Sequence, residues 1–277
     1  MAELSHHRPR TRRGPVGYLI RLLVIVYLFF LVAWPVYLVG KNTFADGTEN
    51  LTSLLEDPDI IHALTLTVQV ALIAVVINTV FGVGISILLV RYALPGKRWL
   101  SPLLDLPLSV SPIVVGLSLM LVYNGRTGWF GTTLEDAGFQ VIFATPGIVL
   151  ATVFVALPLV IREVVPVLEE VGEEQEQAAR SLGANAVQTF LRITLPSIKW
   201  GVIYGVVLSL ARSLGEFGAV KVVSGNVLGD TRTATLVVEE KYLNFDKPGA
   251  YATAFLLALV AVACIIVVSA LRPKEDR

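Results

Sequence analysis

Charge is what this chain has least of. Only 16% of its 277 residues are charged, against 55% hydrophobic; ordinary soluble domains carry about 25% charge. With a mean hydropathy of +0.71, the composition excludes a typical soluble domain. It predicts a polytopic membrane protein surrounded by a lipid bilayer. The 22 basic and 22 acidic residues cancel, so no bulk charge draws the chain to nucleic acid, which is not expected as a partner. Cysteine is nearly absent. Cys264 stands alone in an apolar run, which excludes an internal disulfide and leaves a small packing residue. The three histidines, His6, His7 and His62, are too scattered for a metal cluster. The phosphate-binding P-loop pattern, the HExxH of zinc proteases and the dinucleotide-binding GxGxxG are all missing. The chain is therefore expected to be non-catalytic and to bind no cofactor or nucleotide, so any ATP must be used by a partner.

What the chain has in abundance is long apolar runs. Six spans are readable, at about 18–40, 60–90, 100–123, 142–165, 200–222 and 250–271. Each is near or above the roughly 20 residues a helix needs to cross a bilayer. The first is too long for a signal peptide, and no small-residue cleavage site follows it. Basic residues set the orientation. Arg8, Arg10, Arg12 and Arg13, then Arg91, Lys97 and Arg98, then Arg180, Arg192 and Lys199, then Arg272, Lys274 and Arg277 all fall on one side. That side is expected to be the cytoplasm. The first opposite loop is acidic, with Lys41 against Asp46, Glu49, Glu56, Asp57 and Asp59; the last, with Lys221, Arg232, Lys241 and Lys247, is less clean. An even number of spans puts both termini inside. The expected organisation is an all-α fold: a basic tail at 1–17, one transmembrane domain at 18–271 and a short tail at 272–277.

The most informative polar stretch is 176–196, between the fourth and fifth spans. Ala178 and Ala179 are followed by Gly183, Ile193 and Leu195-Pro196. The residues predict a short helix with a small-residue face, closed by Gly183 as its C′ residue. A second short helix follows, with Asn185 as its N-cap. Pro196 is expected to stop it, pushing Leu195 away from helical geometry. Two alanines leave room for another protein to approach closely.

Three constellations lie within the spans. Gly201, Gly205, Ser209 and Ser213 recur every fourth residue and make a narrow small-residue face. Packing within the chain and packing against a second subunit both fit that face. Arg212 and Glu216 share a helix face at four-residue spacing. They either border a translocation route or form a structural ion pair, because charge at membrane depth faces protein or a water-filled path. Asp105, Pro107, Ser109, Ser111, Pro112 and Gly116 interrupt the third span. Its prolines free backbone groups, and the serine hydroxyls are candidate contacts for a passing oxyanion. A simple helix kink is the alternative.

The stretch 176–196 resembles the cytoplasmic docking loop, or EAA loop, of permease subunits in ABC importers. The resemblance implies that Glu176, Gln177, Ala178, Ala179, Gly183, Ile193, Leu195 and Pro196 contact an ATPase, within a loop spanning about 166–199. Gln177 stands where the family has its leading glutamate. From Ile60 onward the chain is similar to sulfate/thiosulfate importer permeases of the W type. That similarity rests on the run from Ala211 to Val220, ARSLGEFGAV, with Val222-Val223-Ser224-Gly225, Thr145-Pro146-Gly147 and Arg162-Glu163. It implies a type I ABC importer permease fold in the bacterial plasma (inner) membrane. The implied partners are two ATPase subunits, which use ATP and Mg, a related permease of T/U type, and an extracytoplasmic sulfate-binding protein. A molybdate or tungstate permease and an ion-driven transporter or channel are the competing readings.

Overall fold

A computed structural model describes residues 15–45, 47–93 and 95–270. The arginines expected to orient both termini, and most of the two tails, lie outside the described residues. Among the described residues every regular element is helical. Five helices are long and apolar enough to cross a membrane, and a sixth crossing is made if one sharply bent pair counts as a span.

The first apolar run comprises α1 (Pro15–Leu28), a π segment (Phe29–Ala33) and α2 (Trp34–Thr43). It is almost wholly exposed on the subunit. Only its end docks, where Phe44 meets Phe255 with ring centroids 5.4 Å apart. A short helix, α3 (Glu49–Glu56), leads to α4 (Pro58–Arg91). The start of α4 is written locally: the Asp57 carboxylate accepts from the Asp59 N–H at 2.9 Å, and Pro58 occupies the first turn, where its missing N–H costs nothing. At 34 residues and 1.5 Å per residue, α4 runs about 50 Å, well beyond a hydrocarbon core of about 30 Å. It therefore either lies tilted or continues past the apolar layer.

The third span is not a single straight crossing. It is α5 (Lys97–Ser109) and α6 (Pro112–Tyr123), bent by 109°. Pro112 has no N–H to donate, and Val110 and Ser111 before it are held extended, with ψ of 140° and 134°. After α7 (Gly131–Asp136), α8 (Thr145–Val171) crosses as one helix despite Pro158 and Pro166. The fifth span departs from expectation. The helix α11 (Leu195–Leu214) ends earlier than the predicted 222, and a break at Gly215–Phe217 precedes α12 (Gly218–Val223). The chain finishes with α13 (Ala234–Leu243) and α14 (Lys247–Ala270).

One part of the core is a three-helix seam. Val83 of α4, Val160, Val164 and Leu168 of α8, and Ile198 of α11 form one buried cluster. Gly82 lets α4 sit so close to α8 that a Cβ there would lie 2.7 Å from Val160 Cγ1. The small-residue face of α11 packs into this seam rather than facing outward. Gly201 and Gly205 lie against α8, and Ser209, fully buried, accepts from Asn78 Nδ2 of α4 at 3.3 Å. The structure thus places that face inside the subunit.

Candidate functional site

Residues 172–195 form a polar excursion between α8 and α11. Gly172, with φ +70°, ends α8, and α9 (Glu174–Ser181) follows. The turn after α9 is the predicted one. Gly183 has φ +89°; its N–H reaches Arg180 O at 3.0 Å, and Ala184 N–H reaches Ala179 O at 3.0 Å. This paired closure is the Schellman arrangement, which needs a left-handed residue at C′. The next helix, α10 (Ala186–Thr189), is capped by Asn185, whose side chain accepts from Gln188 N at 2.8 Å while Gln188 Oε1 accepts from Asn185 N at 3.0 Å.

Pro196 does not stop the chain. A π turn (Phe190–Thr194) widens the helix, and Leu195, at φ −61° and ψ −44°, is helical. Its N–H reaches back five residues to Phe190 O. The wider turn relieves the ring's clash with the carbonyl four residues earlier, the usual reason proline breaks a helix. The rule for residues before proline is overridden here, and α10 runs through into α11.

The predicted docking residues separate into two groups. Gln177, Ala178, Gly183 and Pro196 are exposed, and Ala179, Ile193 and Leu195 half-buried. Glu176 is buried and turned into the subunit. Its carboxylate meets Arg91 Nε at 3.1 Å and accepts from Thr194 Oγ1 at 2.9 Å. Arg91, the last residue of α4, also donates to Leu168 O at 3.1 Å and to Gly172 O at 2.6 Å. One guanidinium thus satisfies two carbonyls at the end of α8 and the carboxylate of α9. This clamp joins α4, α8, α9 and the π turn. In the sequence Arg91 is only one more basic residue of an inner loop; its partner lies 85 positions away. Leu182, Val187 and Leu191 were also missed. They are 90%, 65% and 55% exposed, an apolar surface on an otherwise polar loop.

The pair Arg212–Glu216 forms as its spacing implies, with Nη1 2.7 Å from Oε2. Glu216 does more than pair. Its Oε1 accepts from Ala219 N at 3.0 Å, capping α12, and its carbonyl accepts from Thr235 Oγ1 at 3.0 Å. Around it the GEFGA stretch is tightly packed: a Cβ on Gly218 would lie 2.9 Å from Pro112 Cβ, and one on Gly116 would lie 2.8 Å from Ala219 O. The break in the fifth span is thereby fastened to the bend in the third. Ser209 and Ser213 are buried, whereas Ser109 and Ser111 are exposed beside that bend. The structure does not bring these two serine pairs together in one cavity. A further pair joins α5 to α8, Asp105 Oδ1 to Arg162 Nε at 2.8 Å.

Arg212→Ala is expected to cost more than Glu216→Ala. It leaves the Glu216 carboxylate, only 2% exposed, without its cation, whereas after Glu216→Ala the 32% exposed Arg212 can be hydrated and the main loss is the cap on the Ala219 N–H. In a double-mutant cycle on membrane abundance, the double variant loses less than the sum of the two. Additive losses would show that the residues act independently.

Among the described residues the chain is a set of apolar helices with a clamped, partly apolar loop between α8 and α11. Residues 82–276 match the family described as binding-protein-dependent transport system inner membrane component, and the chain belongs to it. Its relatives carry the resemblance further. The sulfate transport system permease protein CysW of Synechocystis is 45% identical over 95% of this chain and 94% of its own length. The CysW of Escherichia coli K12 is 42% identical over 98% and 93%. A probable sulfate transport system permease protein cysT, of Nephroselmis olivacea, is 33% identical over 89% and 87%. A bacterial ABC transporter importing the acidic polysaccharide alginate has the same fold: TM-score 0.78 at 14% identity, covering 95% of this chain and 96% of that one.

Proposed function

We propose that this chain is a permease subunit of an ATP-driven sulfate and thiosulfate importer in a bacterial inner membrane. The observation that carries the reading is similarity to W-type sulfate permeases along nearly the whole chain. The structure is consistent with it, since the loop at 172–195 offers an exposed apolar surface on a rigid base. In this reading one of two ATPase subunits seats on Gln177, Ala178, Ala179, Gly183 and the Leu182–Val187–Leu191 surface, and the other seats on the second permease. Their closure on ATP and Mg moves the loop and, through Arg91 and Glu176, the ends of α4 and α8. A second permease of T/U type completes the conduit, and an extracytoplasmic binding protein delivers the anion. The chain itself binds no cofactor. None of the relatives named above is a molybdate or tungstate permease.

The excess of basic residues at 91–98 and 180–199 supports a cytoplasmic loop, and with it two cytoplasmic termini. A membrane-impermeant thiol reagent applied to intact cells should modify Thr48→Cys and spare Asn185→Cys, both in a Cys264→Ala background. Modification of Asn185→Cys would reverse the topology.

Gly183→Asp tests the docking role. No atom lies within 4 Å of a Cβ built there, so sterics permit the side chain, but φ is +89°. A non-glycine residue held there costs about 1–3 kcal/mol, which falls on the local turn. Normal membrane abundance with loss of ATPase copurification is expected. Copurification and transport at wild-type levels would sink the docking reading.

A further inference from the structure

The pair Asp105–Arg162 differs in exposure from Arg212–Glu216. Arg212–Glu216 has one partner almost fully buried, whereas Arg162 and Asp105 are 54% and 45% exposed on the subunit surface. Arg162 lies nine residues before the end of α8, about 14 Å up from the docking-loop end at 1.5 Å per residue. Charged side chains within membrane helices usually face protein or a water-filled cavity. Beside the pair is a cavity of about 220 Å3 whose apolar walls include Leu89, Leu104, Ile161, Val165 and Pro166. Ser109 follows Asp105 by one helical turn on α5, exposed, and leads to the bend at 110–111. Broken helices at membrane depth occur where backbone lines a cavity. These features make one polar track, from the bend down α5 to Arg162.

We propose that Asp105 and Arg162 form a low-affinity transit site for the transported tetrahedral oxyanion, in the docking-loop half of the conduit. This rests on the importer reading given above. Of the five guanidinium donors, the Nε–H is taken by Asp105, and among the described residues neither Nη group of Arg162 has a partner. Those Nη donors are free for a sulfate oxygen. Asp105 holds the side chain in place and offsets its charge, so the dianion is received without being trapped. A conduit needs that balance, because an ion must leave each site as readily as it enters. The cavity's apolar walls add no competing donors.

The test uses the whole transporter in inside-out membrane vesicles, with Leu104→Cys on the cavity wall in a Cys264→Ala background. Both charges stay in place in this variant. A hydrophilic, impermeant thiol reagent should modify Leu104→Cys, and millimolar sulfate should slow the modification about threefold, the protection expected when sulfate is at about twice a millimolar-range Kd. Adding Arg162→Gln should abolish the protection, and Asp105→Asn should strengthen it. Should Arg162→Gln fail to accumulate, the Asp105→Asn arm decides alone. No modification of Leu104→Cys would place this face against lipid or the second subunit and overturn the proposal. Modification without sulfate protection, protection that survives Arg162→Gln, or protection that Asp105→Asn leaves unchanged or weakens would overturn it as well. Vesicles with the unaltered chain that accumulate no sulfate under any condition would count against the importer reading instead.

Discussion

Arg91→Ala should detach the docking loop from the ends of α4 and α8. The substitution leaves the Glu176 carboxylate buried with only Thr194 as a hydrogen-bond donor, and leaves Leu168 O and Gly172 O without the donors they now have. Breaking a buried ion pair by removing one partner costs about 3–5 kcal/mol. A marginally stable fold cannot absorb that loss unnoticed. The expected result is a sharp fall in membrane abundance. In whatever protein remains, the loop is cleaved readily by protease between α9 and α10. Arg91→Met combined with Glu176→Leu should recover part of the abundance, since no buried charge is then left unpaired. Recovery stays incomplete, because the two carbonyls still lack a donor. Wild-type abundance and a protease-resistant loop in Arg91→Ala would show that the clamp contributes nothing.

Gly201→Leu should also be damaging, for a steric reason. A Cβ at Gly201 would lie 2.8 Å from Glu163 O and 3.4 Å from Val164 Cα, both backbone atoms of α8. Backbone cannot rotate aside as a side chain can, so α11 must move off α8. Overpacking of this kind typically costs about 1–3 kcal/mol, and more where the helix cannot shift. Since α11 continues from the π turn that carries Thr194, the displacement reaches the loop. Gly84→Leu is the matched control, because nothing lies within 4 Å of a Cβ there. In detergent, Gly201→Leu should lower the melting temperature by several degrees and Gly84→Leu should leave it nearly unchanged. Equal behaviour of the two would mean the seam is not close-packed.

The parts of this fold readable from sequence are those with local causes. Gly183 and Asn185 could be assigned because a Schellman closure and a capping box involve residues no more than five apart. The apolar runs themselves announced the spans. Pro196 was misread, since a rule about the residue before proline knows nothing of a π turn that opens the helix ahead of it. The interruption at 110–111 was readable from Pro112, but the break at 215–217 was hidden: it is packed through α12 against α6, which Gly116 and Gly218 permit across about a hundred residues of chain. The Arg91–Glu176 clamp was hidden in the same way: charge counting assigned Arg91 to the expected cytoplasmic side and gave it no partner. Asp105 and Arg162 were each noticed, but their pairing across α5 and α8 was not legible from spacing.

Uptake of labelled sulfate at low external concentration tests the central claim most directly, comparing a strain lacking this chain with the same strain carrying it again. The account predicts that uptake falls to background without the chain and returns with it. The deletion strain should also fail to grow on sulfate as sole sulfur source and should recover on cysteine or methionine. Unimpaired sulfate uptake in the deletion strain, with molybdate uptake lost instead, would contradict it.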